Sequence, residues 1–245
     1  MSPREERPLR RTELDRTSFP EFRERIADYE ANATHLEPRS YPGYARVPLE
    51  RVRPRRLASL DRALTRRRSA RALDREVPSR RTLSRLLALA HGITGPDGRG
   101  PVPSAGGLQA LELYVAVLEP GWLERGAYHY DRTENALARL PSRAARADWE
   151  RLVPSLASVG GALLWVAVGD AARASAKYGE RADRFLLLEA GHLGQNLGLL
   201  SVGLGLATTP LGGVLEPDVA RELLLPEGDL VLSAGACGKP AGLTL

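Results

Sequence analysis

The apolar positions of the chain fall into three kinds of run. The longest is Arg181–Gly203, RADRFLLLEAGHLGQNLGLLSVG, which holds no proline. Phe185, Leu186, Leu187, Leu188, Leu193, Leu197, Leu199, Leu200 and Val202 point all round a helix, which predicts one buried on most faces. At 1.5 Å per residue it would span roughly 35 Å, the width of a domain. Glu189, His192, Gln195 and Asn196 form its one polar line. Gly191, Gly194, Gly198 and Gly203 each cost about 1 kcal/mol against alanine in a helix interior. Such glycines are tolerated where another backbone or a flat ligand comes close.

The second kind of run is short and nearly continuous. Leu111–Leu118, Gly161–Val168, Leu204–Pro210 and Leu230–Ala236 predict strands, and in Gly126–Asp131 (GAYHYD) Tyr128 and Tyr130 share one face. The third kind is amphipathic. Ser79 caps a predicted helix over Arg80–His91, with Leu83, Leu86, Leu87 and Leu89 as its apolar positions. Further helices are expected over Phe19–Tyr29, Leu57–Thr65, Arg143–Val159 across Pro154, a short stretch before Lys177, and Glu216–Leu225. These elements mix without a clean βα alternation, and no G-x-G-x-x-G follows a strand. The pattern predicts an α+β fold with a central, mostly antiparallel sheet flanked by helices, not a dinucleotide fold.

Residues 1–17 are charged and almost without apolar content, which predicts disorder; a proline-punctuated stretch follows, expected to wrap over the domain or reach a partner subunit. The chain thus divides into an N-terminal extension, 1–55, and a domain, 56–245. At 43% hydrophobic and 27% charged, its 245 residues are ordinary for a soluble globular protein. No run reaches the ~18 apolar residues of a membrane span, and the N-terminus lacks a signal-peptide core. One cysteine, Cys237, fits a reducing cytoplasm, and four scattered histidines give no metal-ligand spacing. The net charge is +5, with arginine dense before residue 85. Acidic residues interleave there and no nucleic-acid motif appears, so a nucleic-acid partner is not expected.

Three local patterns carry chemistry. Arg67, Ser69 and Arg71 alternate, so an extended segment would aim two guanidiniums and a hydroxyl to one side, as a phosphate clamp does. A Gly/Pro-dense loop contains Pro103-Ser104-Ala105-Gly106-Gly107-Leu108-Gln109, small residues that let backbone amides approach a flat ligand. Finally, 35 residues are Lys or Arg, yet only Lys177 and Lys239 are lysines. An amine loses its proton near neutral pH when desolvated and a guanidinium does not, which draws attention to both.

Taken together, RRSARAL, PSAGGLQALELYVAV, GAYHYD and KYGERADRFLLLEAGHLGQNLGLLSVGLGLATTPLGG resemble segments of the FMN-dependent nitroreductase superfamily, and within it the azoline dehydrogenases of SagB type. The likeness runs from about Arg66 to Pro240. It implies a homodimer with two FMN at the interface, built around the long helix. It implies FMN contacts from Arg67, Ser69 and Arg71 at the phosphate and ribityl chain, and from Pro103, Ser104, Ala105, Gly106 and Gln109 of the other subunit's loop. It also implies a place for Leu211, Gly212 and Gly213 near the flavin's redox edge, and for Lys239 at the phosphate. Gln109-Ala110 stands where SagB-type loops more often carry Tyr-Pro, and Val214 where a phenylalanine is usual. Lys177-Tyr178 matches the pair proposed to deprotonate the ring, with Arg181 expected to lower the lysine's pKa. The implied reaction oxidises thiazoline or oxazoline rings in a peptide or carrier-bound substrate, with oxygen reoxidising the flavin and a cyclodehydratase as a possible partner. Two rivals remain open: an NAD(P)H-dependent reductase of nitro compounds, quinones or enones, and a non-catalytic subunit of an azole-forming complex.

Overall fold

A computed structural model describes residues 12–32, 38–52 and 58–242. Its centre is the pairing of β2 (Leu111–Val117) with β5 (Leu163–Gly169), where every residue of both strands is buried. Around them β1 (Arg46–Pro48), β3 (Gly126–Asp131), β4 (Ala136–Arg139), β6 (Ala207–Leu211) and β7 (Leu230–Gly238) complete one seven-stranded sheet, in the order β1-β4-β3-β2-β5-β7-β6. All neighbouring pairs are antiparallel. Both faces of the sheet are covered, which is why its inner strands read as continuous apolar runs. Leu113, Val115 and Trp165 face a core shared with Leu193 and Leu197 of the long helix. Tyr114, Ala116, Val166 and Val168 face a second core built with Trp149 and Val219. This alternation is the period-two geometry of a strand.

The helices are α1 (Phe19–Asn32), α2 (Leu60–Arg66), α3 (Arg80–His91), α4 (Arg146–Leu152), α5 (Ser155–Val159), α6 (Ala171–Tyr178), α7 (Ala182–Gly203) and α8 (Glu216–Glu222). Ser79 caps α3 as expected, its hydroxyl accepting from the Thr82 amide at 3.2 Å. Two expectations need correction, and two strands were not expected. The helix read over Arg143–Val159 is two, because Val153 stands before Pro154 at φ −134°, ψ 77°, out of the helical region that proline denies its predecessor. Strands β1 and β4 carry too few residues for a period to show in the sequence. The long helix is not buried on most faces of the chain: Leu187 and Leu188 are about half exposed, and Gly191, His192 and Gln195 share their exposed side. Of the expected N-terminal disorder, 1–11 lies outside the described residues, as does the start of the helix expected over Leu57–Thr65. Among the described residues no helix is long and apolar enough to cross a membrane, and no group of three or more His, Cys, Asp or Glu side chains is placed to hold a metal.

Two buried titratable groups show what this packing does. Burial pushes the Cys237 thiol up to about 12, so it is packing rather than a nucleophile. Burial, then the nearby Arg132 charge, push His91 down to about 4, while its Nε2 meets the Leu111 carbonyl at 2.9 Å. A histidine depressed in the folded state costs nothing above its unfolded pKa near 6.5 and destabilises progressively as pH falls toward 4. Stability should therefore fall by about 2 kcal/mol from this group between pH 7.5 and 5. Urea melts at the two pH values check this, and His91→Gln should flatten the slope; an equal slope in the variant would assign the loss to other groups.

Candidate active site

Helix α6 delivers Lys177 and Tyr178, and its position is held from both ends. At its start Asp170 accepts from the Arg173 amide at 2.9 Å and pairs with Arg39 at 3.3 Å and Arg173 at 3.2 Å. The Arg173 guanidinium also donates to the Gln109 carbonyl at 2.8 Å and pairs with buried Glu112 at 3.3 Å. At its end Tyr178 packs 4.6 Å, centroid to centroid, from Phe185 of α7 and 6.3 Å from Phe22 of α1. These contacts set the last turn of α6 against the Pro103–Gln109 loop.

That loop lies directly over the pair. Gly106 has φ +57°, and a Cβ there would collide with the Tyr178 hydroxyl and stand 3.1 Å from Lys177 Nζ. Only glycine satisfies both the backbone angle and the close approach. The loop is pinned to α7 by Glu189, which accepts from the Ala105 amide at 2.7 Å and is reached by the Ser104 hydroxyl. Ser104 in turn accepts from the Gln109 amide at 2.9 Å. Burial raises the Glu189 carboxyl above its ordinary range, opposed by those hydrogen bonds. The polar line read along α7 therefore splits: Glu189 is buried on the loop and Asn196 donates to the Ala90 and Pro101 carbonyls, while His192 and Gln195 are exposed.

The electrostatics of Lys177 differ from the expectation. Its amine pairs with Glu30 of α1 at 2.8 Å, and its side chain is 8% exposed. The hydrogen bond to Glu30 outweighs the desolvation that opposes it and holds the amine's pKa above the ordinary lysine value. Arg181 is turned elsewhere, donating to the Thr12 carbonyl and lying over the Phe22 and Phe185 rings.

A second constellation lies at the other end of α7. Residues 70–74 are held in an extended course: Thr209 donates to the Ala70 carbonyl at 2.8 Å, and Leu73 bridges to Gly160 on one side and Pro240 on the other. The Ala241 amide donates to Ala72 at 3.1 Å. Here a cavity of about 410 Å³ opens, with Arg62, Arg66, Arg68, Ser69 and Arg71 on its polar side and Gly198, Val202 and Leu206 beneath. Ser69 and Arg71 share it, as the alternation implies, but so do Arg68 and Ala70, so the segment curls round the mouth instead of presenting one edge. Arg67 is not in the wall; its stem lies across α7, where a Cβ on Gly198 would stand 3.2 Å from Arg67 Cδ. Among the described residues no carboxylate pairs with Arg62, Arg66, Arg67 or Arg71. Convergent guanidiniums without counter-charge around an apolar-floored cavity fit a planar ligand with a phosphate tail, and so fit FMN.

The remaining sequence-predicted residues are scattered. Leu211 and Gly212 border a smaller cavity, about 300 Å³, with Val214, Glu216 and Ser233, while Gly213 lies beside Ser155. Lys239 pairs with Glu76 at 2.5 Å and is not in the wall of the arginine cavity. The Gln109 side chain accepts from buried Arg132, so it is engaged inside the chain. Sequence reasoning missed the cavity role of Arg62 and Arg66, whose i, i+4 spacing on α2 was available, and that of Glu30, for which nothing in the sequence pointed to Lys177. Along α7, Glu189 and Val202 are separated by about 20 Å of helix rise. Within one chain, then, the Lys177 loop and the arginine cavity stand at opposite ends of one helix.

A seven-stranded antiparallel sheet crossed by one 22-residue helix, with an arginine-walled cavity toward the helix end, makes an α+β fold that offers a site for an anionic ligand. The chain belongs to the nitroreductase family, whose sequence model matches residues 64–239. A candidate nitroreductase of Methanocaldococcus jannaschii is 29% identical over 178 residues, covering 71% of this chain and 88% of that protein. Among solved structures, a candidate nitroreductase from Ralstonia eutropha superposes with a TM-score of 0.72 at 24% identity, over 86% of this chain and 97% of the other. The E. coli microcin synthetase McbBCD complex with truncated pro-MccB17 bound contains a chain of the same fold, with a TM-score of 0.64 at 23% identity, over 90% of this chain and 86% of that one.

Proposed function

We propose that this protein is an FMN-dependent dehydrogenase that converts azoline rings of a peptide or peptide-like substrate to azoles. The single observation that carries the reading is the contact of Lys177 and Tyr178 with Gly106, which puts an amine and a phenol against a loop of small residues. Removing two hydrogens from an azoline takes a hydride and a proton from the ring. Bound FMN supplies the hydride acceptor, with dioxygen as the terminal oxidant. The chain's own part is the proton: Lys177 Nζ, once free, takes it from the ring C–H, and Tyr178 beside it orients the ring. Arg71 and Ser69 hold the phosphate of the flavin, with Arg66 and Arg62 adding positive charge around it.

A homodimer fits this geometry. The exposed side of α7, with Leu187, Leu188 and Gly191, offers a self-complementary face. Two copies of α7 running antiparallel across a two-fold axis bring the Lys177 loop of one copy toward the arginine cavity of the other. The McbBCD complex, a synthetase with a peptide bound, is compatible with the same substrate class. The test is a reductive half-reaction without oxygen. A thiazoline peptide should bleach the flavin absorbance of the purified protein within the time of turnover, and NADPH should not. Rapid bleaching by NADPH with none by the azoline would replace this reading with a reductase.

A further inference from the structure

Helix α1 precedes residue 64, where the family match begins, and it packs on α6 through Phe22 and Ile26. It places one carboxylate, Glu30, 2.8 Å from Lys177 Nζ. From these contacts we infer that Glu30 is a positioning residue that keeps Lys177 charged and covered, so that α1 must release the amine before it can accept a proton. The inference rests on the reading of Lys177 as the base.

The surroundings of the amine single out Glu30. Tyr29 of α1 and Tyr178 of α6 present ring faces 5.5 and 5.8 Å away, which favour a cation. Arg25 of α1 lies against Gly179, Arg181 is held over Phe22 and Phe185, and Glu189 of α7 is committed to the loop amide of Ala105. Glu30 is therefore the one carboxylate in direct contact with the amine among the described residues. An ammonium so paired cannot take a proton from a ring carbon. The same contact has a free side, since Glu30 is 62% exposed and its release would open no core. An azoline chain reaching the amine from the exposed side of Glu30 competes with α1 for it. Binding thus parts the amine from Glu30, the ammonium gives its proton to solvent and becomes the base, and an empty site stays protonated and closed to adventitious chemistry.

The two-lysine composition makes the test direct. Protein purified with its flavin and labelled with [13C]lysine shows two Cε signals, assigned with Lys239→Arg. In Glu30→Gln, the Lys177 signal should begin to titrate at lower pH than in the parent, and the Lys239 signal should not move. The rising limb of the pH–rate profile should shift to lower pH with it, so that turnover near pH 7.5 increases severalfold. An unchanged Lys177 titration overturns the inference. A titration that moves while the rate profile stays in place upholds the Glu30 contact and removes Lys177 as the base.

Discussion

Lys177→Ala should retain flavin and lose turnover by about 10²- to 10⁴-fold, the range that a positioned general base contributes. Lys177→Arg should be as inactive as the alanine variant, because a guanidinium keeps its proton at any working pH. This pair of variants separates a base from a mere positive charge. The fold should tolerate both, since Glu30, the partner left behind, is mostly exposed and stays hydrated without the amine. The measurement is kcat with a thiazoline peptide beside the flavin absorbance and the melting midpoint. An arginine variant with substantial turnover would leave the amine as an electrostatic group only.

The second large effect concerns the cavity at the far end of α7. Arg71→Ala removes one of the guanidiniums that line it, one with no carboxylate partner among the described residues. Losing a charge-assisted hydrogen bond of about 1.5–3 kcal/mol raises the FMN Kd about 10- to 100-fold. Riboflavin, which has no phosphate, should bind parent and variant alike, and raising the ionic strength should weaken FMN more than riboflavin. Fluorescence titration of the two flavins reads all of this. Equal FMN affinity in parent and variant would place the phosphate elsewhere, with Lys239 beside Glu76 the next group to examine.

How far the site was legible depended on the range of the forces involved. Ser69 and Arg71 stand three residues apart, counted inclusively, and the sequence showed them as a pair because a short segment carries its own geometry. Gly106 was legible as a loop glycine, but the reason for it, the Tyr178 hydroxyl and Lys177 amine just beneath, lies 71 residues away in the chain. The pKa of Lys177 went the other way from expectation for the same reason. Its nearest cation in sequence, Arg181, turned to the Phe22 and Phe185 rings, and its nearest anion came from residue 30. Arg67 was legible as one arm of a clamp, but not that its stem would lie across α7 at Gly198, a residue of the cavity floor.

By itself the sequence determined the α+β class, the inner strands and the long helix, because hydrophobic period and capping act over one or two turns of chain. It determined the family as well, through motifs whose residues are near neighbours. Only the tertiary structure decided which charges meet: Glu30 with Lys177, Glu189 with the Ala105 amide, and Lys239 with Glu76 in place of the arginine cavity. Electrostatic partners are chosen by distance in space, and a sheet of seven antiparallel strands brings together residues that the chain keeps far apart.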